Sequence, residues 1–126
     1  ITSIPGSSDV FLGGVVAYAT SIKEQLGVPP RILAEHGAVS EETVKAMASA
    51  ARARFGSSLA VAVSGIAGPG GGSEAKPVGT VWFGFDAGRG AVARRQVFPG
   101  SRHDIRARAT QSALLGLLSS ARSAGA

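Results

Sequence analysis

Leu59-Ala60-Val61-Ala62-Val63-Ser64 is an apolar run, and five glycines follow it within eight positions, at 65, 68, 70, 71 and 72. Short, continuous and rich in valine, the run predicts a strand buried on both faces. A strand covered on both sides needs a layer of structure over each face, and helices are the usual cover, so the chain is expected to be α/β. The glycines end the strand and begin a loop that reaches about Pro77.

The flanking segments agree with that frame. Val10–Thr20 is apolar and β-branched, with Gly13-Gly14 marking a bend, and predicts a strand over Leu12–Ala19,. Short helices are expected over Ser21–Leu26 and Arg31–Glu35, separated by Gly27-Val28-Pro29-Pro30 and closed by Gly37. Ser40 is a good N-cap, and Glu41 and Glu42 suit the positive end of the helix that follows. Val44, Met47, Ala48, Ala51 and Phe55 make its apolar stripe, and Gly56 stops it,. Val78–Asp86 and Ala91–Phe98 read as strands joined by Asp86-Ala87-Gly88-Arg89-Gly90, a hairpin signal,. A long helix is expected from Ser101 to about Ala121, with Ile105, Ala109, Ala113 and Leu117 inward and Leu114 and Leu118 beside them. The expected architecture is one domain over residues 1–126, a three-layer α/β/α arrangement with a mixed sheet.

Composition narrows the function. The 126 residues contain no cysteine, which excludes disulfides, thiolate metal sites and a cysteine nucleophile within them,. No run approaches the roughly 20 apolar residues of a membrane span. No charged-then-apolar leader is present either, so a cytoplasmic location is expected. Ile1-Thr2-Ser3-Ile4-Pro5 reads like mid-protein sequence, so an N-terminal segment ahead of Ile1 is also expected. The net charge is +5, and arginines crowd the second half: Arg89, Arg94, Arg95, Arg102, Arg106, Arg108 and Arg122. Such a balance suits nucleic acid, a membrane surface or a small anion. The seven aromatics fall mostly in strand-like runs, which disfavours nucleic acid.

Three groups of residues could carry chemistry. Gly65, Gly68, Gly71 and Gly72 leave the C-terminal end of a buried strand, where ligands of α/β sheets bind, and glycine lets amides approach an anion closely. The loop lacks the Gly-Lys-Ser/Thr of a Walker loop and the following helix of a dinucleotide fingerprint. Arg102 and Arg106 share a face at the start of the last helix, where cations oppose the dipole unless an anion or carboxylate answers them. Tyr18 and Lys23 lie together at the end of the first expected strand, and a desolvated lysine can act as a base. Each has a plain structural alternative: a surface loop, arginines paired with carboxylates such as Asp104, and a solvated lysine. His36 and His103 lack ligand spacing, so no metal is expected. The residues alone lead to an α/β domain that binds an anionic small molecule.

Gly65-Ile66-Ala67-Gly68-Pro69, Gly71-Gly72-Ser73 and Lys76-Pro77-Val78-Gly79-Thr80-Val81-Trp82 together resemble the hallmark of the CinA C-terminal family. Tyr18 with Lys23, Leu33–Ser40 and Phe98-Pro99-Gly100-Ser101-Arg102 extend the resemblance over nearly the whole chain. It implies hydrolysis of the carboxamide of nicotinamide mononucleotide, giving nicotinate mononucleotide and ammonia, with a serine nucleophile and a lysine base and no cofactor. Lys23 matches the family's lysine, and Tyr18, Ser64 and Arg102 match positions of catalysis or substrate handling. Gly65, Gly68, Gly71 and Gly72, with Arg102 and Arg106, would bind the nucleotide.

Departures from the family accompany the matches. Ser64 stands for a common threonine, Ala19-Thr20 for a Ser-Asn pair, and Ser101 for a frequent aspartate. The family's Glu-Ser-Cys-Thr-Gly-Gly motif, which holds the nucleophile, is absent from the 126 residues. The rival readings are a non-catalytic nucleotide-binding module and, less favoured, a basic DNA-associated protein. A homo-oligomer is left open.

Overall fold

A computed structural model describes residues 1–125. A single 3₁₀ turn, Ser7–Asp9, is followed by helices α1 (Thr20–Leu26), α2 (Pro30–His36) and α3 (Glu41–Phe55). Then come strands β1 (Ala60–Gly65), β2 (Thr80–Asp86) and β3 (Ala91–Val97), and last the long helix α4 (Arg102–Gly125). Among the described residues no helix is long and apolar enough to cross a membrane.

Helix α3 starts where its capping residue directs. Ser40 accepts the Thr43 amide at Oγ (3.2 Å) and donates to the Gly37 carbonyl (3.0 Å), satisfying one of the orphan donors of the first turn. At its other end Gly56 takes a left-handed φ of 63°. The expected stripe faces inward, with Val44, Met47 and Ala48 buried.

The strands form one sheet in the order β1-β2-β3. Ala62 faces Gly84 and Gly84 faces Ala93, while Val63, Phe83 and Arg94 form the adjacent row. Strand β2 is central, and its side chains divide between two cores. Val81, Phe83 and Phe85 join Ile105, Ala109 and Ala113 of α4. Trp82 points the other way, onto the cluster that includes Val44, Met47 and Ala62. Phe83 also meets Phe98 edge to face, with ring centroids 6.3 Å apart.

Two glycines set how closely the layers approach. A Cβ on Gly84 would run into the Val44 carbonyl of α3, and one on Gly116 of α4 would run into the Phe85 ring. Helix α3 therefore rests on β2 backbone to backbone at Gly84, whereas on the other face the Phe85 ring fills the space that Gly116 leaves on α4.

The α/β class with helices on both faces is as expected from sequence, but the sheet is not mixed. Both of its pairings are antiparallel. The expected strand over Leu12–Ala19 does not form: residues 12–18 carry no ladder and Thr20 already belongs to α1. A strand needs a neighbour for its backbone groups, and none lies against these residues. Val63, expected to be buried, is 40% exposed because the outer edge of β1 is bare. Leu114 and Leu118 are likewise exposed.

Candidate active site

A cleft of about 1450 Å³ opens beside that bare edge. Strand β1 forms one wall, and residues 9–18 form another. Met47, Ala51 and Phe55 of α3 and Leu114, Leu117 and Leu118 of α4 close its sides. Tyr18, Lys23, Ser64 and Gly65 also line it, so four of the sequence-chosen residues meet in one place.

Lys23 is the unusual member. It is 6% exposed, although a lysine is almost never this buried without a partner,. Its ammonium donates to the Ala17 carbonyl at 2.6 Å and the Tyr18 carbonyl at 3.1 Å. Among the described residues, no carboxylate answers it within ion-pair distance. Burial therefore pulls its pKa below the ordinary lysine value,. Helix α1 causes the placement: Lys23 lies on its inward face, and the carbonyls it meets belong to the segment that leads into the helix. The solvated-lysine alternative is thus excluded. Tyr18, by contrast, is 85% exposed and stands at the rim.

The other sequence-chosen residues lie outside the cleft lining, around the glycine loop. The loop is ordered by its own bonds: the Ile66 amide donates to the Thr80 carbonyl (2.9 Å), and the Gly79 amide to that of Ile66 (2.8 Å). At its far end the Ser73 amide meets the Lys76 carbonyl (2.9 Å), and Ser73 Oγ accepts the Lys76 amide (3.0 Å). Among the described residues, the amides of Gly68, Gly70, Gly71 and Gly72 donate to no protein acceptor. These are the groups able to bind an anion.

Among the described residues, Arg102 is paired with no carboxylate. Its Nη1 donates to the Gly68 carbonyl at 2.8 Å, which fastens the last helix to the glycine loop. Asp104, the partner suggested by sequence, instead accepts the Ser101 amide and hydroxyl, both at 3.0 Å. Those bonds to Ser101 hold its carboxyl below the ordinary aspartate value. Arg106 is exposed one turn further on. Trp82 and Phe83 pack in the two cores.

Sequence reasoning missed Lys76, whose Nζ reaches the His36 carbonyl at 2.9 Å across a separation of 40 residues. It also missed Asp86, 7% exposed, which accepts Ser49 Oγ (2.8 Å) and the Gly88 amide (2.8 Å) and braces the hairpin against α3. No local pattern signals the Lys76–His36 or the Ser49–Asp86 contact, because each joins distant parts of the chain. No group of three His, Asp or Glu side chains among the described residues is placed to hold a metal ion.

The family model of the CinA C-terminal domain matches residues 1–121. A CinA-like protein of Gemmatimonas aurantiaca is 50% identical over 90% of this chain, which spans 27% of that protein's length. A Pseudomonas putida protein named nicotinamide-nucleotide amidohydrolase PncC is 49% identical over 94% of this chain and 74% of its own. The crystal structure of the competence/damage inducible protein CihA from Agrobacterium tumefaciens superposes with a TM-score of 0.91. It is 40% identical over 94% of this chain and 74% of that one. The chain belongs to the CinA C-terminal domain family.

Proposed function

We propose that this domain is the amidohydrolase part of an enzyme that converts nicotinamide mononucleotide to nicotinate mononucleotide and ammonia. The buried, uncompensated amine of Lys23 in the apolar cleft carries the reading. Desolvation disfavours its ammonium and lowers its pKa, which makes it a readier proton acceptor than a solvated lysine,. The name of the Pseudomonas putida relative supports the reaction class.

A serine outside residues 1–126 attacks the carboxamide carbon, and Lys23 takes its proton. The tetrahedral oxyanion is met by the Ser64 hydroxyl or by unpaired amides of the glycine loop. Collapse breaks the C–N bond as Lys23 returns the proton to the departing ammonia. Water then attacks the acyl-enzyme, with Lys23 again taking the proton; the ester C–O bond to serine breaks, Lys23 returns the proton to the serine oxygen, and nicotinate mononucleotide leaves. Tyr18 at the rim contacts the substrate. Arg102, with Arg106, holds the 5′-phosphate beyond Gly68, using the guanidinium hydrogens that the Gly68 carbonyl leaves free.

The test is Lys23→Ala in the full-length protein. Ammonia release is expected to fall by about 10²–10⁴-fold with nucleotide binding kept, and a loss of less than about threefold removes Lys23 from the mechanism.

A further inference from the structure

The glycine loop is fastened at its tip as well as at its base. Lys76 lies in the tip, between the turn at Ser73 and Pro77, and its ammonium reaches the last residue of α2, donating to the His36 carbonyl at 2.9 Å. That carbonyl belongs to the final turn of a helix, where acceptors lack partners and a cation is favoured. The same ammonium lies where a Cβ on Gly37 would be 3.4 Å from it. Gly37 is in turn fixed from α3, its carbonyl accepting both Thr43 Oγ1 (2.7 Å) and Ser40 Oγ (3.0 Å). Lys76 thus connects the loop to a rigid corner where α2 meets α3. Arg102 holds the opposite side of the loop through the Gly68 carbonyl. Between these two anchors lie Gly70, Gly71 and Gly72, whose amides have no protein acceptor among the described residues.

We propose that Lys76 is a positioning residue: it sets the glycine loop so that the free amides from Gly68 to Gly72 stand in the geometry that the reaction uses. It touches no substrate and acts through the loop. A glycine-rich backbone loses more freedom on ordering than any other, so a tether at the tip has a large effect on where those amides point. This deepens the amidohydrolase reading and rests on it for the catalytic consequence alone.

The test compares Lys76→Ala and Lys76→Arg with the wild-type full-length protein. Hydrogen exchange of the bonded amides at the loop's tip, Ser73 to the Lys76 carbonyl and Lys76 to Ser73 Oγ, is read first. Lys76→Ala is expected to speed their exchange while the thermal midpoint hardly moves, and Lys76→Arg to restore the wild-type pattern. In turnover, Lys76→Ala is expected to lower kcat about tenfold with little change in KM, less than the roughly 10²–10³-fold cost of deleting one oxyanion donor. The pH profile should keep its shape, and Lys76→Arg should recover most of the rate. Unchanged exchange in Lys76→Ala, or a kcat equal to wild type, overturns the proposal. So does a KM effect alone, which would make Lys76 a binding residue. If the wild type itself fails to release ammonia, the amidohydrolase reading falls, and the exchange comparison still decides the role of Lys76.

Discussion

Lys23 carries a stability signature independent of any substrate. Burial disfavours its ammonium in the folded chain, so the unfolded chain holds the proton more tightly,. Stability should therefore rise with pH between the lowered folded value and the ordinary value of 10.5,. Lys23→Met has no proton to lose. The stability of wild type minus that of Lys23→Met is expected to be least near neutrality and to grow as pH climbs, read from urea midpoints. A difference that does not vary with pH would mean a solvated amine. Arg102 anchors Gly68, and its proposed role as a phosphate ligand can be tested apart from that anchor. Charge-assisted bonds contribute roughly 1.5–3 kcal/mol, so Arg102→Ala is expected to weaken nicotinamide mononucleotide by about 10–100-fold. The phosphate-free riboside should hardly change, and Arg102→Lys should recover only part of the loss. Equal losses for nucleotide and riboside, measured by calorimetry, would leave only the anchor.

At the scale of elements, the contacts that matter are those where the backbone itself approaches. Helix α3 rests on Gly84 through the Val44 carbonyl, and backbone cannot turn aside as a side chain can. Gly84→Ala is expected to cost at least about 2 kcal/mol, towards the upper part of the overpacking range. Gly70→Ala is the control, since its Cβ would meet nothing within 4 Å, and it should stay within about 0.5 kcal/mol of wild type. Chemical denaturation of the two variants decides; equal midpoints would show that α3 can lift without penalty. Glycine content alone does not distinguish these positions. The loop glycines announced themselves by clustering, whereas Gly84 stands alone in a strand and matters only because a helix crosses it.

At the scale of the molecule, β2 belongs to both cores, so neither layer should unfold without the other. Phe83→Ala removes a ring that is 2% exposed on the α4 side and is expected to cost about 3–5 kcal/mol,. Trp82, the single tryptophan, reports from the α3 side. Its fluorescence midpoint in urea should fall together with the far-UV circular dichroism midpoint. A tryptophan transition left in place while the dichroism shifts would show two separable halves.

Much of this protein was legible in local pattern. The Ser40 cap, the stripe from Val44 to Phe55, the hairpin around Gly88 and the last helix all follow from residue-to-residue spacing, which local physics decides. The family was legible as well, because its glycine motif is contiguous. The tertiary structure decided what spacing cannot reach. Leu12–Ala19 has the composition of a strand but forms none, since a ladder needs a neighbour and composition supplies only a tendency. Lys23 reads as a surface lysine until the fold removes its water and leaves it two carbonyls. Lys76 and His36, 40 residues apart, are joined only by the packing of the loop against α2. Burial and long-range contact are properties of the whole arrangement, and there the burial of the Lys23 amine and the setting of the loop were determined.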